Sequence, residues 1–132
     1  ASVSTLSKLA ARGAAVLLPG SASLDKLEGG DKEYRLDFAV KSVPGSYADV
    51  EANFAFDKDS EKKATYNLVA AVSRDVAPAA DGDKKATSKE AGDKPEMRAF
   101  VLGDADVFTD PVMDFANTNR LLLLEALRWL GG

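Results

Sequence analysis

Ala14-Ala15-Val16-Leu17-Leu18, closed by Pro19-Gly20, is the stretch on which the expected fold turns. Five apolar residues follow one another with no polar interruption, and a proline and a glycine end the run. A strand with one wet face alternates. A strand without alternation is apolar on both faces, and such strands belong to parallel sheets covered by helices. Just upstream, Val3, Leu6, Leu9 and Ala10 recur at helical spacing over residues 2–12, with Ser2 or Ser4 as cap and Gly13 as a stop. Helix, glycine and buried strand is the order of a crossover unit. The expectation is an α/β domain with a mixed or mainly parallel sheet flanked by helices.

Downstream segments supply the other strands. Tyr34, Leu36, Phe38 and Val40 alternate with Arg35 and Asp37, the pattern of a half-buried strand. Tyr66 to Val72 and Arg98 to Leu102 read as two more. Pro44-Gly45-Ser46 is a turn, residues 47–57 fit no single element, and Lys58 to Lys63 is a charged loop. Residues 77–96 contain no large apolar side chain, so they can anchor nothing and are expected to form a mobile surface loop. Asp110-Pro111 suits a cap followed by a first helical residue, starting a short turn over 111–115. Asn117 or Thr118 then caps a helix over 118–130, with Gly131 beyond its end. Leucines crowd this helix, and Arg120, Glu125 and Arg128 share one arc. Leu123, Leu127 and Leu130 are therefore expected to face the core.

Composition limits the chemistry. The 132 residues, 45% hydrophobic and 29% charged, suit a single domain over 1–132. A net charge of −4 argues against nucleic acid, whose phosphates call for clustered Lys and Arg. The chain has no Cys and no His. Cys–His and Ser–His–Asp nucleophiles are excluded within it, as are zinc sites built on Cys or His. No apolar run approaches the roughly 20 residues that cross a bilayer. A start at Ala1 and an end at Gly132, directly after a strong helix, are compatible with a piece cut from something longer.

One constellation concentrates polar chemistry: Gly103-Asp104-Ala105-Asp106-Val107-Phe108-Thr109-Asp110, at the end of the clearest strand. Ligands of open α/β sheets bind beyond the carboxyl ends of strands. Asp104, Asp106 and Asp110 could hold Mg²⁺ or Ca²⁺, or Asp104 and Asp106 could serve a hydrolase. Their spacing is not that of an EF-hand. The simpler role is structural, with Asp104 accepting backbone N–H bonds beside Asn119 or Arg120 and Asp110 capping the next turn. No metal and no cofactor are expected. Ser21 and Ser23 lack the second glycine of a nucleophile elbow and are turn residues, and no Gly-Lys-Ser/Thr follows Gly29-Gly30 to make a phosphate loop.

Arg98-Ala-Phe-Val-Leu-Gly-Asp-Ala-Asp-Val-Phe108 and Asn119-Arg120-Leu-Leu-Leu-Leu-Glu-Ala-Leu-Arg-Trp129-Leu-Gly resemble the end of the gliding-motility-type ABC transporter auxiliary domain, the GldG-like family. Residues 13–24 and Tyr66 to Val72 also resemble its strands. Val107-Phe108 stands where that family has one aromatic, and the 77–96 insertion is long for it. The resemblance implies a sheet related to the flavodoxin-like and class I glutamine amidotransferase folds, of which this chain would hold the C-terminal part. It implies no enzyme activity. It also implies a periplasmic or extracytoplasmic interaction domain of an inner-membrane-anchored protein, with transporter subunits as protein partners and membrane contact only through segments outside this chain. A carbohydrate or other small ligand bound near Asp104 is the alternative, with Asp104, Asp106, Asp110, Asn119 and Arg120 as the candidate binding residues.

Overall fold

The structure, a computed structural model, describes residues 15–30, 33–76 and 96–132. The helix expected over 2–12 lies outside these residues, as does the loop expected over 77–96 except for Glu96. The described elements are β1 (Arg35–Lys41), β2 (Asn67–Asp75), β3 (Glu96–Leu102), α1 (Asp110–Phe115) and α2 (Asn117–Gly131). The strands form one sheet in the order β1-β2-β3, and both pairings are antiparallel. Arg35 lies opposite Ser73 on one side of β2, and Arg98 lies opposite Ser73 on the other.

This overturns the expected mainly parallel sheet, and with it the flavodoxin-like or class I glutamine amidotransferase-like fold. The molecule is a small mixed α/β fold, a three-stranded antiparallel sheet plus two helices. Parallel neighbours need a crossover helix between them. Here both described helices follow the last strand, and the described part of the β1–β2 connection contains none. That connection closes as a long hairpin instead: Ser46 pairs antiparallel with Ala64, and the Ser42 N–H donates to the Tyr66 carbonyl at 2.8 Å.

The stretch at 15–18 belongs to no strand. Its Leu17 backbone is met by a side chain, the Asn119 amide, and not by a ladder. The strand continuous in small and apolar residues is β2, the central strand, whose middle residues Val69, Ala70 and Ala71 are buried. Its alanines leave little side chain to cover. β1 shows the half-exposed alternation expected of an edge, with its register broken around Val40 by bulges that blunt the open side.

Directly opposed residues of antiparallel strands share a face. Val69, Ala71 and Ser73 thus join Arg98, Phe100 and Leu102, and α2 covers that set. The Phe100 and Trp129 rings lie 6.4 Å apart, and the Arg98 guanidinium stands 5.7 Å over the Trp129 ring while its Nη1 donates to the Trp129 carbonyl at 2.6 Å. Leu122, Ala126 and Val107 complete the core. The opposite face carries Leu36, Phe38, Val72, Ala99, Met97 and Val101, the last two exposed.

The orientation of α2 also corrects an expectation. Its buried residues are Asn119, Leu122 and Ala126, spaced three and four apart on one stripe. Leu127 is 56% exposed, and Leu130 is exposed too. The buried stripe lies opposite the arc of Arg120, Glu125 and Arg128, but leucines occur on both sides of the helix, and Leu127 and Leu130 fall outside the stripe that bears the buried amide. No described helix is long and apolar enough to cross a membrane.

Candidate functional site

The end of β3 and the starts of the two helices bring Asp104, Asp106, Asp110, Asn119 and Arg120 into one region of chain, but not into one constellation. Asp104 is only 7% exposed. Its Oδ1 accepts the Asp106 N–H at 2.7 Å, closing a side-chain turn. Its Oδ2 is buried with no hydrogen-bond partner. Asp106 is exposed, and its contribution is its backbone carbonyl, which accepts the Thr109 N–H at 2.9 Å and the Thr109 hydroxyl at 2.8 Å. Thr109 occupies the N-cap position of α1, one residue before the expected cap, and Asp110 is an exposed first-turn acid that suits the helix dipole. Arg120 pairs with the exposed Asp114. Neither Asn119 nor Arg120 bonds to Asp104, the partnership expected of them. Among the described residues, no three acids could jointly hold a metal ion.

Asn119 has the most constrained geometry. It is completely buried, and both N–H donors and the oxygen of its amide are engaged. Oδ1 accepts the Leu17 N–H at 2.9 Å, and Nδ2 donates to the Leu17 carbonyl at 2.7 Å and to the Val107 carbonyl at 2.9 Å. The amide therefore acts as one rung of a β ladder for a segment 102 residues away in sequence. The same segment continues past Gly103, whose carbonyl accepts the Ala22 N–H at 2.8 Å, to Asn67, whose carbonyl accepts the Leu24 N–H at 2.7 Å. Gly103 is needed there: a Cβ at this position would lie 2.1 Å from the Ala22 carbonyl oxygen. Sequence reasoning had no signal for a pairing this remote, although an Asn inside a leucine-rich helix does mark a polar group in need of partners.

A second carboxylate system escaped the sequence reading. Glu61 is buried, and its two oxygens accept the Val50 N–H at 2.8 Å and the Asp57 N–H at 2.9 Å. Asp49 accepts the Asn53 and Phe54 N–H groups at 3.1 and 2.8 Å, and the Asn53 amide donates to Asp57 at 2.7 Å. Polar residues four apart, at 49, 53, 57 and 61, were the available signal. They fold residues 49–61 around their own backbone, holding Ala52 and Phe54 at φ of 53° and 59°. With both oxygens of Asp49 and of Glu61 already bonded to N–H groups, the loop is an internally satisfied scaffold.

The third polar cluster sits across the far end of the sheet. Arg35 bonds to Asp75 at 2.9 Å, to Glu96 and to the Ser73 hydroxyl, and Arg98 Nε donates to Glu96 at 2.6 Å. Hydrogen bonds from Arg98 first, then Arg35 and Ser73, hold the Glu96 carboxyl down at about 2. The Arg35 bonds run between strands and favour this register, while Arg98 and Glu96 pair within β3.

Against these clusters stands an apolar surface. Leu121, Leu124 and Leu127 are 42%, 56% and 56% exposed along one side of α2, and Phe115 at the end of α1 is almost bare. Comparison with family models, with curated proteins and with solved structures finds no match to this chain.

Proposed function

We propose that the chain is a non-catalytic interaction domain that presents the outer leucine side of α2 to a protein partner. The observation that carries this reading is the exposure of Leu121, Leu124 and Leu127 together on one helix. Such a row loses stability to water unless something covers it, and contiguous exposed apolar residues mark interaction surfaces. The helix is anchored from its other side by Leu122, Ala126 and Asn119, so the row is held rigidly. That is how helix-in-groove recognition presents its anchors. Arg120 and Arg128 lie on the same side of the helix as the row with their charges already paired, to Asp114 and Glu125, which leaves the surface uncommitted to a charged partner. The resemblance of residues 98–130 supplies the partner class, subunits of an ABC-type transport or gliding complex outside the cytoplasm. The catalytic alternative is weaker, because Asp104 is buried with one oxygen on the Asp106 N–H and, among the described residues, no three acids come together to hold a metal ion.

Site-specific photo-crosslinking in cells tests the reading, with the reactive group placed at Leu124 or Leu127 and, as controls, at exposed Lys58 and Asp59. One discrete protein adduct from the helix positions and none from the controls is expected, and Leu121→Glu should remove it. Helix positions that behave like the controls would refute it.

A further inference from the structure

Residues 15–24 are held as a ligand is held. Five of their backbone groups are bonded to the body of the domain: the Leu17 N–H and carbonyl by the Asn119 amide, the Ala22 N–H by the Gly103 carbonyl, and the Leu24 N–H and carbonyl by Asn67, the last at 3.3 Å. None of their side chains is fully buried; Val16, Leu18, Ser21 and Leu24 are half-buried and the rest exposed. The attachment is therefore to backbone, made on either side of a turn at Pro19-Gly20 where Gly20 has a φ of 70°. Side chains set only the register, and Gly103 leaves room for the approach at Ala22. The cleft itself, between the start of β2, the end of β3 and the first turn of α2, is fixed without this segment by the sheet ladder and by the Asn119 bond to the Val107 carbonyl.

We propose that this cleft is a receptor for peptide backbone whose occupant in trans is the 15–24 segment of a second copy, giving a segment-exchanged dimer. The second copy is the favoured occupant because its segment meets every requirement of the cleft with the same atoms. Exchange thus leaves the contacts unchanged and turns on the tether alone. That tether is suited to it. Asp25 to Gly30 are all exposed, and Gly29 turns at a φ of 76°. Fully extended, the chain from Leu24 to Arg35 reaches about 35 Å, enough to deliver the segment to a neighbouring molecule. This surface uses different residues from the leucine row and stands independently of it.

The test uses a labelled peptide of residues 15–24, AVLLPGSASL, titrated into the whole chain and followed by fluorescence anisotropy. Saturable binding is expected. Methylating the peptide nitrogen at Ala22, which removes the donor to Gly103, should weaken it by about tenfold, the effect of one lost hydrogen bond. A scrambled peptide that binds equally, or an N-methylated one that binds unchanged, overturns the receptor. For the occupant, deleting Lys26 to Gly30 prevents the segment from closing on its own domain, and shortened hinges of this kind drive exchange. That variant should sediment as a dimer, and wild type refolded at high concentration should contain the same dimer as a minor species that excess peptide dissolves. If the peptide binds but both preparations are wholly monomeric, the second copy is not the occupant and that half of the proposal fails.

Discussion

Asn119→Asp is the sharpest test of how the helices are joined to the rest of the chain. The change is one atom in shape, yet it converts Nδ2, which donates to Leu17 and Val107 at 2.7 and 2.9 Å, into an oxygen facing two carbonyls. Oδ1 would still accept from Leu17. The consequences differ at the two carbonyls. Leu17 is 39% exposed, so its carbonyl can turn to water. Val107 is 1% exposed and its carbonyl cannot. One buried acceptor left unpaired costs about 1–3 kcal/mol. The new carboxylate, buried with no cation near it, adds several more unless it takes up a proton. A loss of about 3–5 kcal/mol at neutral pH follows from these terms. At roughly 4 °C per kcal/mol for a domain of this size, the melting midpoint should fall by about 12–20 °C.

The introduced carboxyl carries a second signature. Burial raises its folded-state affinity for a proton above the unfolded value. The penalty should be largest above the folded pKa and should shrink as pH falls toward the ordinary carboxylate range. A protonated carboxyl can donate again to one of the carbonyls. Urea unfolding followed by far-UV circular dichroism at pH 7 and pH 4.5 measures both effects, and amide exchange at Leu17 reports whether the 15–24 segment loosens first. A variant as stable as wild type at pH 7, or equally destabilised at both pH values, would refute the account of Asn119 as the saturated hub.

Three further outcomes are expected. Leu122→Ala should cost about 2–5 kcal/mol, as buried leucines do, whereas Leu127→Ala, at a site 56% exposed, should change the unfolding midpoint little; similar losses at both positions would contradict the orientation of α2. The Glu96 carboxyl is held near 2, below its usual 4.5, so the stability contributed by its ionisation is present above that usual value and disappears as pH falls toward 2; Glu96→Gln should flatten this acid limb of the stability curve, and an unchanged limb would place the acid sensitivity elsewhere. Asp104→Asn keeps an oxygen for the Asp106 N–H and removes a buried charge whose second oxygen has no partner, so it should be neutral or stabilising in a thermal melt; millimolar Mg²⁺ or Ca²⁺ should leave the wild-type midpoint in place, and a rise that vanishes in Asp104→Asn would instead reveal a bound ion.

The strands β1, β2 and β3 and both described helices lie where sequence pattern and capping signals place them, within one to three residues at their ends. What periodicity could not convey is how strands pair. The step to a parallel sheet rested on Ala14 to Leu18, and a continuous apolar run has more than one physical cause. In β2 it reflects burial between two neighbours. In 15–18 it accompanies a half-exposed segment lying along the edge of the domain, bonded through Asn119. A run of five residues cannot separate these cases, because the distinction lies in partners located some 40 to 100 positions away. The order of elements held the better clue. With three strand signals and no confident helix between them, short antiparallel connections were available throughout, and parallel pairing would have required a crossover that the sequence does not supply.

The candidate site divides along the same physical line. Asp104 was legible as a buried carboxylate tied to nearby backbone because that bond is local: its acceptor and donor are two residues apart. Asn119 was legible as polar and important, but not as what it is. Its role depends on Leu17 and on Val107, and only folding brings the first of these to it. The leucines of α2 show the limit most directly. Seven of its first ten side chains are Asn, Thr or Leu; the arc of Arg120, Glu125 and Arg128 gives a general direction, but leucines spread around the rest of the helix leave the buried stripe unset. The direction comes from the one residue that cannot tolerate water-free isolation. Asn119 must face its three backbone partners, and once it does, Leu122 and Ala126 turn inward with it and Leu121, Leu124 and Leu127 turn outward. A single saturated amide therefore decides both which face of the helix builds the core and which face is left for a partner.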